Sequence, residues 1–174
     1  MKKLNDKGLS LVELIIVLSI MAVVVSIATL SIRGAMTKPA EECAEKIVNG
    51  LKAARITTMG KESCVLVLKQ ASDKDTVYLE QRITNAAGDT TNKLSTVGKK
   101  GVSVKLHIKG DGATSYTNLY DFAPGGVELR FRRDTGGFYP IPGTSFYYDE
   151  IVVEKGDRVC KIKLANLTGN VSIE

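Results

Sequence analysis

An apolar stretch from Leu9 to Ile32 constrains this chain more than any other feature of its sequence. It holds 24 residues (9 to 32 inclusive), and Glu13 is the only charged one. As an α-helix, at about 1.5 Å per residue, it would be roughly 36 Å long, enough to cross a hydrocarbon core of about 30 Å. Three lysines precede it, and only Arg33 and Lys38 follow it closely. This charge bias predicts a single-pass cytoplasmic membrane protein with its N-terminus inside.

Three interpretations of the stretch are open. A removable secretory signal would use the segment Ser26-Ile27-Ala28, with its two small residues, as a cleavage site. Such signals usually have an apolar part of about 7–15 residues. An early carboxylate would also be unusual in a secretory signal. A plain single-pass anchor is the second interpretation. The third is a short basic leader that is removed while the apolar helix stays in the mature protein.

The third interpretation depends on the segment Lys7-Gly8-Leu9-Ser10-Leu11-Val12-Glu13. This segment resembles the processing motif of type IV prepilins and pseudopilins. In that family a membrane peptidase cleaves after the glycine and N-methylates the new terminus. The resemblance therefore implies cleavage between Gly8 and Leu9, followed by N-methylation of Leu9. Leu9 departs mildly from the Phe or Met usual after the cut, and the proline that many members carry in the apolar helix is absent from residues 9–32.

The carboxylate of Glu13 fits such a leader. A charged side chain in a bilayer costs about 2.5–3.5 kcal/mol on insertion scales and tends to have a partner. Cleavage before Leu9 creates an ammonium group in the same membrane zone. The resemblance implies that Glu13 pairs with this amine on a neighbouring subunit during assembly, whereas in the alternative Glu13 extends to the cytoplasmic headgroups.

Beyond the apolar stretch the helical pattern continues but becomes amphipathic. Steps of three and four residues place one set of small and apolar side chains on a single face. This stripe consists of Ala40, Ala44, Ile47, Leu51, Ala54 and Thr58. Gly60 is a natural end for the helix. We predict one helix over about 9–59 whose second half packs on a sheet.

From residue 63 onward the apolar period changes to two, which is typical of strands. Strands are predicted over 64–68, 76–83, 102–108, 127–132, 146–153, 159–164 and 171–173, with polar loops over 85–101 and 110–126. The absence of a later helical pattern predicts an antiparallel sheet packed on the helix. The predicted class is α+β and pilin-like. The predicted domains are a leader peptide (1–8), a transmembrane or filament-core helix (9–36) and a globular head (37–174) with the amphipathic helix 37–59.

The C-terminal part carries a second resemblance. A strand near 127–131, a Gly-containing loop, the pair Gly143-Thr144 and a terminal Leu-Thr-Gly-x-Val (residues 167–171) look like minor pseudopilins of the FimT/GspH type. The segment from Leu51 to Gly60, with Ala54-Arg55 near the helix end, also looks like that group. This resemblance implies a minor subunit.

The three cysteines, Cys43, Cys64 and Cys160, form an odd set, so at least one is unpaired or pairs between chains. An exported domain permits a disulfide. Cys43 lies well within the second helical segment and Cys64 just after its end, which disfavours that pair. Among the possible pairs Cys64–Cys160 is favoured as a possible disulfide, and the alternative is three small buried residues that act as hydrophobes.

The charge of the chain gives little evidence for nucleic acid. The net charge is +5, of which the leader holds +2, so the mature side chains sum to +3. The basic side chains of the sheet are read mainly as a solvated face. The candidate DNA contacts are Lys105, Lys109, Arg130, Arg132, Lys161 and Lys163. DNA-binding members of the FimT/GspH group are expected to carry arginines in the last turn, and the turn at 169–172 has none.

No catalytic or metal-ligating pattern stands out, and His107 is predicted to be a surface residue. We therefore predict neither an enzyme nor a cofactor. The resemblance implies a structural subunit of a type IV pilus or type II secretion-like filament at the cell surface. Its partners would be other pilin or pseudopilin subunits, the prepilin peptidase, an inner-membrane assembly platform and, before assembly, membrane lipid. The alternative is a competence-type pseudopilin that binds DNA for uptake.

Overall fold

The computed structural model describes residues 11–60, 62–71, 76–99, 101–110, 116–122 and 124–174, without the side chains of 27–37. The chain forms two compact units, Met1–Met36 and Thr37–Glu174. Helix α1 spans Leu11–Met59. The predicted leader and the first two residues of the predicted helix lie outside the described residues.

The described strands form two antiparallel sheets in the second unit. Their bounds are β1 Ser63–Gln70, β2 Val77–Thr84, β3 Thr90–Gly98, β4 Ser103–Lys109, β5 Thr117–Asn118, β6 Val127–Arg130, β7 Tyr147–Lys155, β8 Arg158–Leu164 and β9 Val171–Ile173. Sheet A has the order β3-β2-β1-β6, and sheet B has the order β5-β4-β7-β8-β9. The α+β class is confirmed, but the prediction of a single sheet is wrong. The apolar period finds strands but does not determine which of them pair.

The helical part of the second unit buries the predicted stripe. All six stripe residues are at most 6% exposed, as are Cys43 and Val48 on the same side of the helix. Gly50 allows a close approach to sheet A, because a Cβ at this position would overlap the side chain of Leu79. A larger residue at position 50 would therefore require the Leu79 side chain to move.

The inner faces of both sheets complete this core. On β1 the inward residues are Cys64, Leu66 and Leu68, and on β8 they are Cys160, Ile162 and Leu164. Val67 and Val152 are also buried, yet they point away from the main cluster. Each is flanked across the sheet by residues with long polar side chains, whose aliphatic stems cover it.

All seven predicted strands are confirmed, but the two predicted loops contain further elements. Strand β3 pairs with β2 through the turn Asn85–Asp89. Most of β3 is exposed and polar, so it shows no apolar alternation. In the second loop, β5 leads into a short 3-10 helix, Leu119–Phe122, whose Leu119 is buried.

Two glycine turns pack against the C-terminal end of α1. Gly136 and Gly169 both have positive φ, at 68° and 65°. A Cβ on Gly169 would overlap the carbonyl oxygen of Gly136 and lie 3.2 Å from Cδ of Arg55. The segments around Arg55 and Gly169, which carry the second sequence resemblance, therefore meet in the fold.

Candidate processing and assembly site

The first described part of α1, residues 11–26, presents apolar side chains to solvent on every side. Its large apolar residues are 49–75% exposed: Leu11, Val12, Leu14, Ile15, Ile16, Val17, Leu18, Ile20, Met21, Val23, Val24 and Val25. Soluble monomers rarely leave such a continuous apolar surface uncovered. Each of these twelve residues exposes on the order of 100 Å², so covering them all would yield roughly 30 kcal/mol at about 25 cal/mol per Å² of apolar surface. This surface therefore needs lipid or protein around it.

The polar groups of this segment suit an apolar environment. The Ser19 hydroxyl donates to the Ile15 carbonyl oxygen at 2.8 Å, and the Ser26 hydroxyl donates to that of Ala22 at 2.7 Å. Each serine hydroxyl thus donates its proton to a carbonyl oxygen of the same helix, as hydroxyls do in lipid-facing helices. Glu13 is exposed on the first turn and is the only charged side chain in residues 11–26.

Among the residues that the structure describes, no helix combines the length and apolarity needed to cross a membrane.

Comparison with known families agrees with the leader predicted from the sequence. Residues 3–29 match the family model of the prokaryotic N-terminal methylation motif. The chain carries an N-terminal methylation motif. This motif fits the prepilin leader of type IV pilins and pseudopilins. The match ends at residue 29, so it does not confirm the FimT/GspH resemblance of the head. No curated protein and no solved structure matches the chain.

The structure places only one of the predicted processing and assembly residues. Glu13 lies on α1, near the start of its described part. Gly8 and Leu9 lie outside the described residues. Cleavage at this bond and methylation of Leu9 therefore stay predictions, as does the role of Glu13 in assembly.

The predicted Cys64–Cys160 disulfide is not formed, because all three cysteines are buried free thiols. Helix α1 gives the reason. The backbone N–H of Cys64 donates to Thr58 Oγ1 at 3.3 Å, near the end of the helix. The Arg158 guanidinium, two residues before Cys160, bonds Glu41 at 2.5 Å. The 17 residues from 41 to 58 span about 25 Å of helix, so these two cysteines lie at opposite ends of the head.

The six candidate DNA contacts are mostly paired with carboxylates. Lys105 bonds Glu154 at 2.7 Å, Arg130 bonds Glu128 at 2.7 Å, Lys161 lies 3.5 Å from Glu150, and Lys163 bonds Glu174 at 2.7 Å. Arg132 lies over the Tyr139 ring, 5.5 Å from its centroid. These contacts neutralise much of the positive field that a phosphate backbone would need. Four of the six residues lie on strands of sheet B, whereas Arg130 lies on sheet A and Arg132 follows it just beyond the strand.

A polar cluster on sheet B was missed by the sequence analysis. His107 Nδ1 lies 2.6 Å from Asp149 Oδ1, and its side chain is only 22% exposed. The His107 and Tyr116 rings are 5.2 Å apart, and the Tyr116 hydroxyl donates to Glu150 at 3.2 Å. The ladder between β4 and β7 shifts register at His107. This shift leaves Asp149 as an extra residue beside the histidine. No sequence pattern indicates it, because a bulge interrupts the alternation.

A second charged network covers the outer face of sheet A. Glu80 accepts hydrogen bonds from Lys69 and, at 2.8 Å, from Arg82. Arg82 also bonds Glu128 at 3.3 Å, and Glu128 accepts from Arg130 at 2.7 Å. The bonds from Arg82 and then Lys69 lower the pKa of Glu80 to about 2. Charges of alternating sign therefore run across three strands of sheet A.

Proposed function

We propose that this chain is a structural subunit, a minor pilin or pseudopilin, of a type IV pilus or related type II secretion-like filament. The match of residues 3–29 to the methylation motif carries the proposal. In this proposal a prepilin peptidase cleaves between Gly8 and Leu9 and methylates Leu9. The protein then acts without catalysing a reaction of its own.

The exposed apolar surface of residues 11–26 supports assembly through this helix. Lipid would cover it before assembly, with the chain as a single-pass membrane protein whose N-terminus is inside. In a filament at the cell surface, the same surface would be covered by helices of neighbouring subunits. The proposed parts are the leader (1–8), the membrane or filament-core helix (9–36) and the head (37–174).

Glu13 gives this surface a means of setting register. Its carboxylate is the only charge on residues 11–26, and burial without a counter-ion is costly. The methylated amine of Leu9 on a neighbouring subunit would supply the opposite charge. Subunits displaced along the helix axis would lose this pair, so the pair favours one axial position.

The first test is the N-terminal sequence and mass of the protein from cells with and without a prepilin peptidase. In cells with the peptidase we expect the protein to begin at methylated Leu9. In cells without it, this processed form should be absent. Gly8→Ala should block this cleavage, whereas the control Gly34→Ala, a glycine change outside the motif, should be processed normally. A chain that begins at Met1 would indicate a plain anchor, and one that begins at Thr29 would indicate a discarded signal. Either result would refute the proposal.

A second test separates processing from assembly. Glu13→Gln removes the charge and keeps the shape, so we expect normal cleavage and at least a tenfold loss of the subunit from sheared filaments. Glu45→Gln, an exposed acid on the head part of α1, serves as the matched control. Equal recovery of both variants in filaments would contradict the role of Glu13.

DNA uptake through the basic face is the second candidate from the sequence. The ion pairs of Lys105, Arg130, Lys161 and Lys163 argue against it, so we do not propose it. Salt-sensitive binding of duplex DNA at near-physiological salt would support DNA uptake as a function if neutralising these residues abolished the binding.

A further inference from the structure

A cavity of about 480 Å³ lies on sheet B beside the turn that joins β8 to β9. The last residue of β4 and the first residues of β7 form one wall, and the turn forms the other. Its volume is within the range of about 300–1,000 Å³ that small-molecule sites occupy. The lining residues that matter chemically are Lys109, Tyr147, Asp149, Asn166, Leu167 and Thr168. The proposed assembly through residues 11–26 uses none of them.

The bulge in β7 brings the first acceptor to this cavity. Asp149 is the extra residue beside the register shift at His107, and it lines the cavity. Bulges often re-aim a side chain next to a functional site. His107 Nδ1 lies 2.6 Å from Asp149 Oδ1, and this contact fixes the carboxylate. The Oδ2 atom is therefore left as an acceptor for a ligand.

Asn166 supplies a second acceptor. Its Oδ1 atom is buried and has no hydrogen-bond partner among the described residues. The turn is held by the backbone of Asn166 instead, because its carbonyl oxygen accepts from the Phe138 N–H at 2.8 Å. A buried acceptor without a donor is costly. Its presence beside a cavity indicates a ligand that donates a hydrogen bond.

The other lining groups determine the class of ligand. Lys109 is exposed and adds donors, and its positive charge balances the negative charge of Asp149. An anion would meet the carboxylate of Asp149, and a cation would meet the ammonium group of Lys109. Hydroxyl groups both donate and accept, so a neutral polyhydroxylated ligand suits both residues. Tyr147 and Leu167, of which Leu167 is 88% exposed, add apolar surface to the same cavity.

We propose that this cavity binds a neutral sugar ring. Hydroxyl groups of the ring donate to Asp149 and Asn166 and accept from Lys109, while its C–H face packs on Tyr147 and Leu167. The same chemistry occurs in a free monosaccharide and in one unit of a polysaccharide. This binding goes beyond filament assembly, because every residue of the cavity belongs to the head (37–174).

The test is saturation-transfer NMR on the full-length chain in lauryldimethylamine oxide, a detergent without sugar groups. The probes are glucose, galactose, mannose and N-acetylglucosamine, each as the free sugar and as its methyl glycoside. We expect saturation transfer from the chain to the ring protons of at least one of these sugars. Binding of a methyl glycoside indicates a polysaccharide unit, because the C1 oxygen carries a substituent there. Binding of the free sugar alone indicates a monosaccharide.

Variants of the lining residues locate the binding. Asn166→Ala removes an unsatisfied group, so we expect at least tenfold weaker sugar binding with an unchanged or higher urea midpoint of unfolding. A purely structural role of Asn166 would lower the midpoint instead. Asp149→Ala should also weaken binding at least tenfold. Its matched control is Asp157→Ala, an exposed acid in the turn after β7, which should bind as the unmodified chain does.

Two results would overturn the proposal. One is the absence of saturation transfer to every sugar of the panel from the unmodified chain. The other is equal binding by Asn166→Ala, Asp149→Ala and the unmodified chain, which would place the sugar elsewhere. The measurement on the unmodified chain does not depend on whether the variants fold. It also does not depend on cleavage at Gly8, so its failure is distinct from failure of the proposed function.

Discussion

Glu80 provides the most direct test of the energetics of the head. The change is Glu80→Gln, which keeps the size of the side chain and removes its charge. Hydrogen bonds from Arg82 and Lys69 lower the pKa of Glu80 from 4.5 to about 2. At 1.36 kcal/mol per pKa unit this shift corresponds to at most about 3.4 kcal/mol of stability at neutral pH. The side chains of Lys69 and Arg82 are 29% and 36% exposed, so solvent screening reduces the expected loss to about 1–2 kcal/mol.

The pH dependence distinguishes this charge effect from a packing effect. Because the pKa of Glu80 is lower in the folded chain, its stabilisation is complete above about pH 4.5 and disappears as the pH falls towards 2. The free energy of unfolding, measured by urea titration from pH 7 to pH 2.5, should therefore differ between the two chains at pH 7 and converge in acid. Glu174→Gln, which breaks an exposed pair with Lys163, should leave the curve unchanged. A constant difference across the pH range would refute the reasoning and point to lost cover over Val67.

Two further changes test the junction at the end of α1. Gly169→Ala should destabilise the head by more than about 3 kcal/mol in urea unfolding, because it adds overlap with the Gly136 carbonyl to the cost of a positive φ. Gly156→Ala also has a positive φ but open space around it, so it should cost only about 1–2 kcal/mol; equal losses would show that the overlap relaxes. Thr58→Val should cost about 1–3 kcal/mol, because it leaves the Cys64 N–H without its acceptor. Thr58→Ser keeps the hydroxyl and therefore the acceptor, so it should be more stable than Thr58→Val. A Thr58→Val chain as stable as the unmodified chain would refute the role of this hydrogen bond.

Local periodicity accounts for the part of the fold that the sequence predicts. The stripe from Ala40 to Thr58 is buried because a 3.6-residue period places those residues on one face. Alternation likewise identifies β4, where Val104 and Leu106 face inward. Strand β3 was missed because an edge strand with both faces exposed shows no alternation. In this case hydrogen bonding to β2, rather than burial, holds the strand.

The features that the sequence did not predict depend on strand pairing and register. The division into two sheets depends on which strand lies next to β1, and no local pattern specifies that neighbour. The Cys64–Cys160 pair failed for the same reason, since the separation of these two cysteines is set by how β1 and β8 pack on α1. The contact between His107 and Asp149 depends on a single extra residue in β7. Of the predicted assembly residues, only the surroundings of Glu13 could be compared with the sequence, because Gly8 and Leu9 lie outside the described part of the chain.

The order of strands in sheet A has a consequence for how the head folds. Strand β1 lies between β2, which follows it directly, and β6, which begins at Val127. Closing the loop from Leu68 to Val127 costs roughly 2 kcal/mol more chain entropy than closing the short hairpin to β2. We therefore expect the meander β1-β2-β3 to form first and β6 to join it late. Until then one edge of β1 has no partner, and such edges pair readily with other chains. A growing or truncated chain that ends before Val127 is thus exposed to aggregation through this edge.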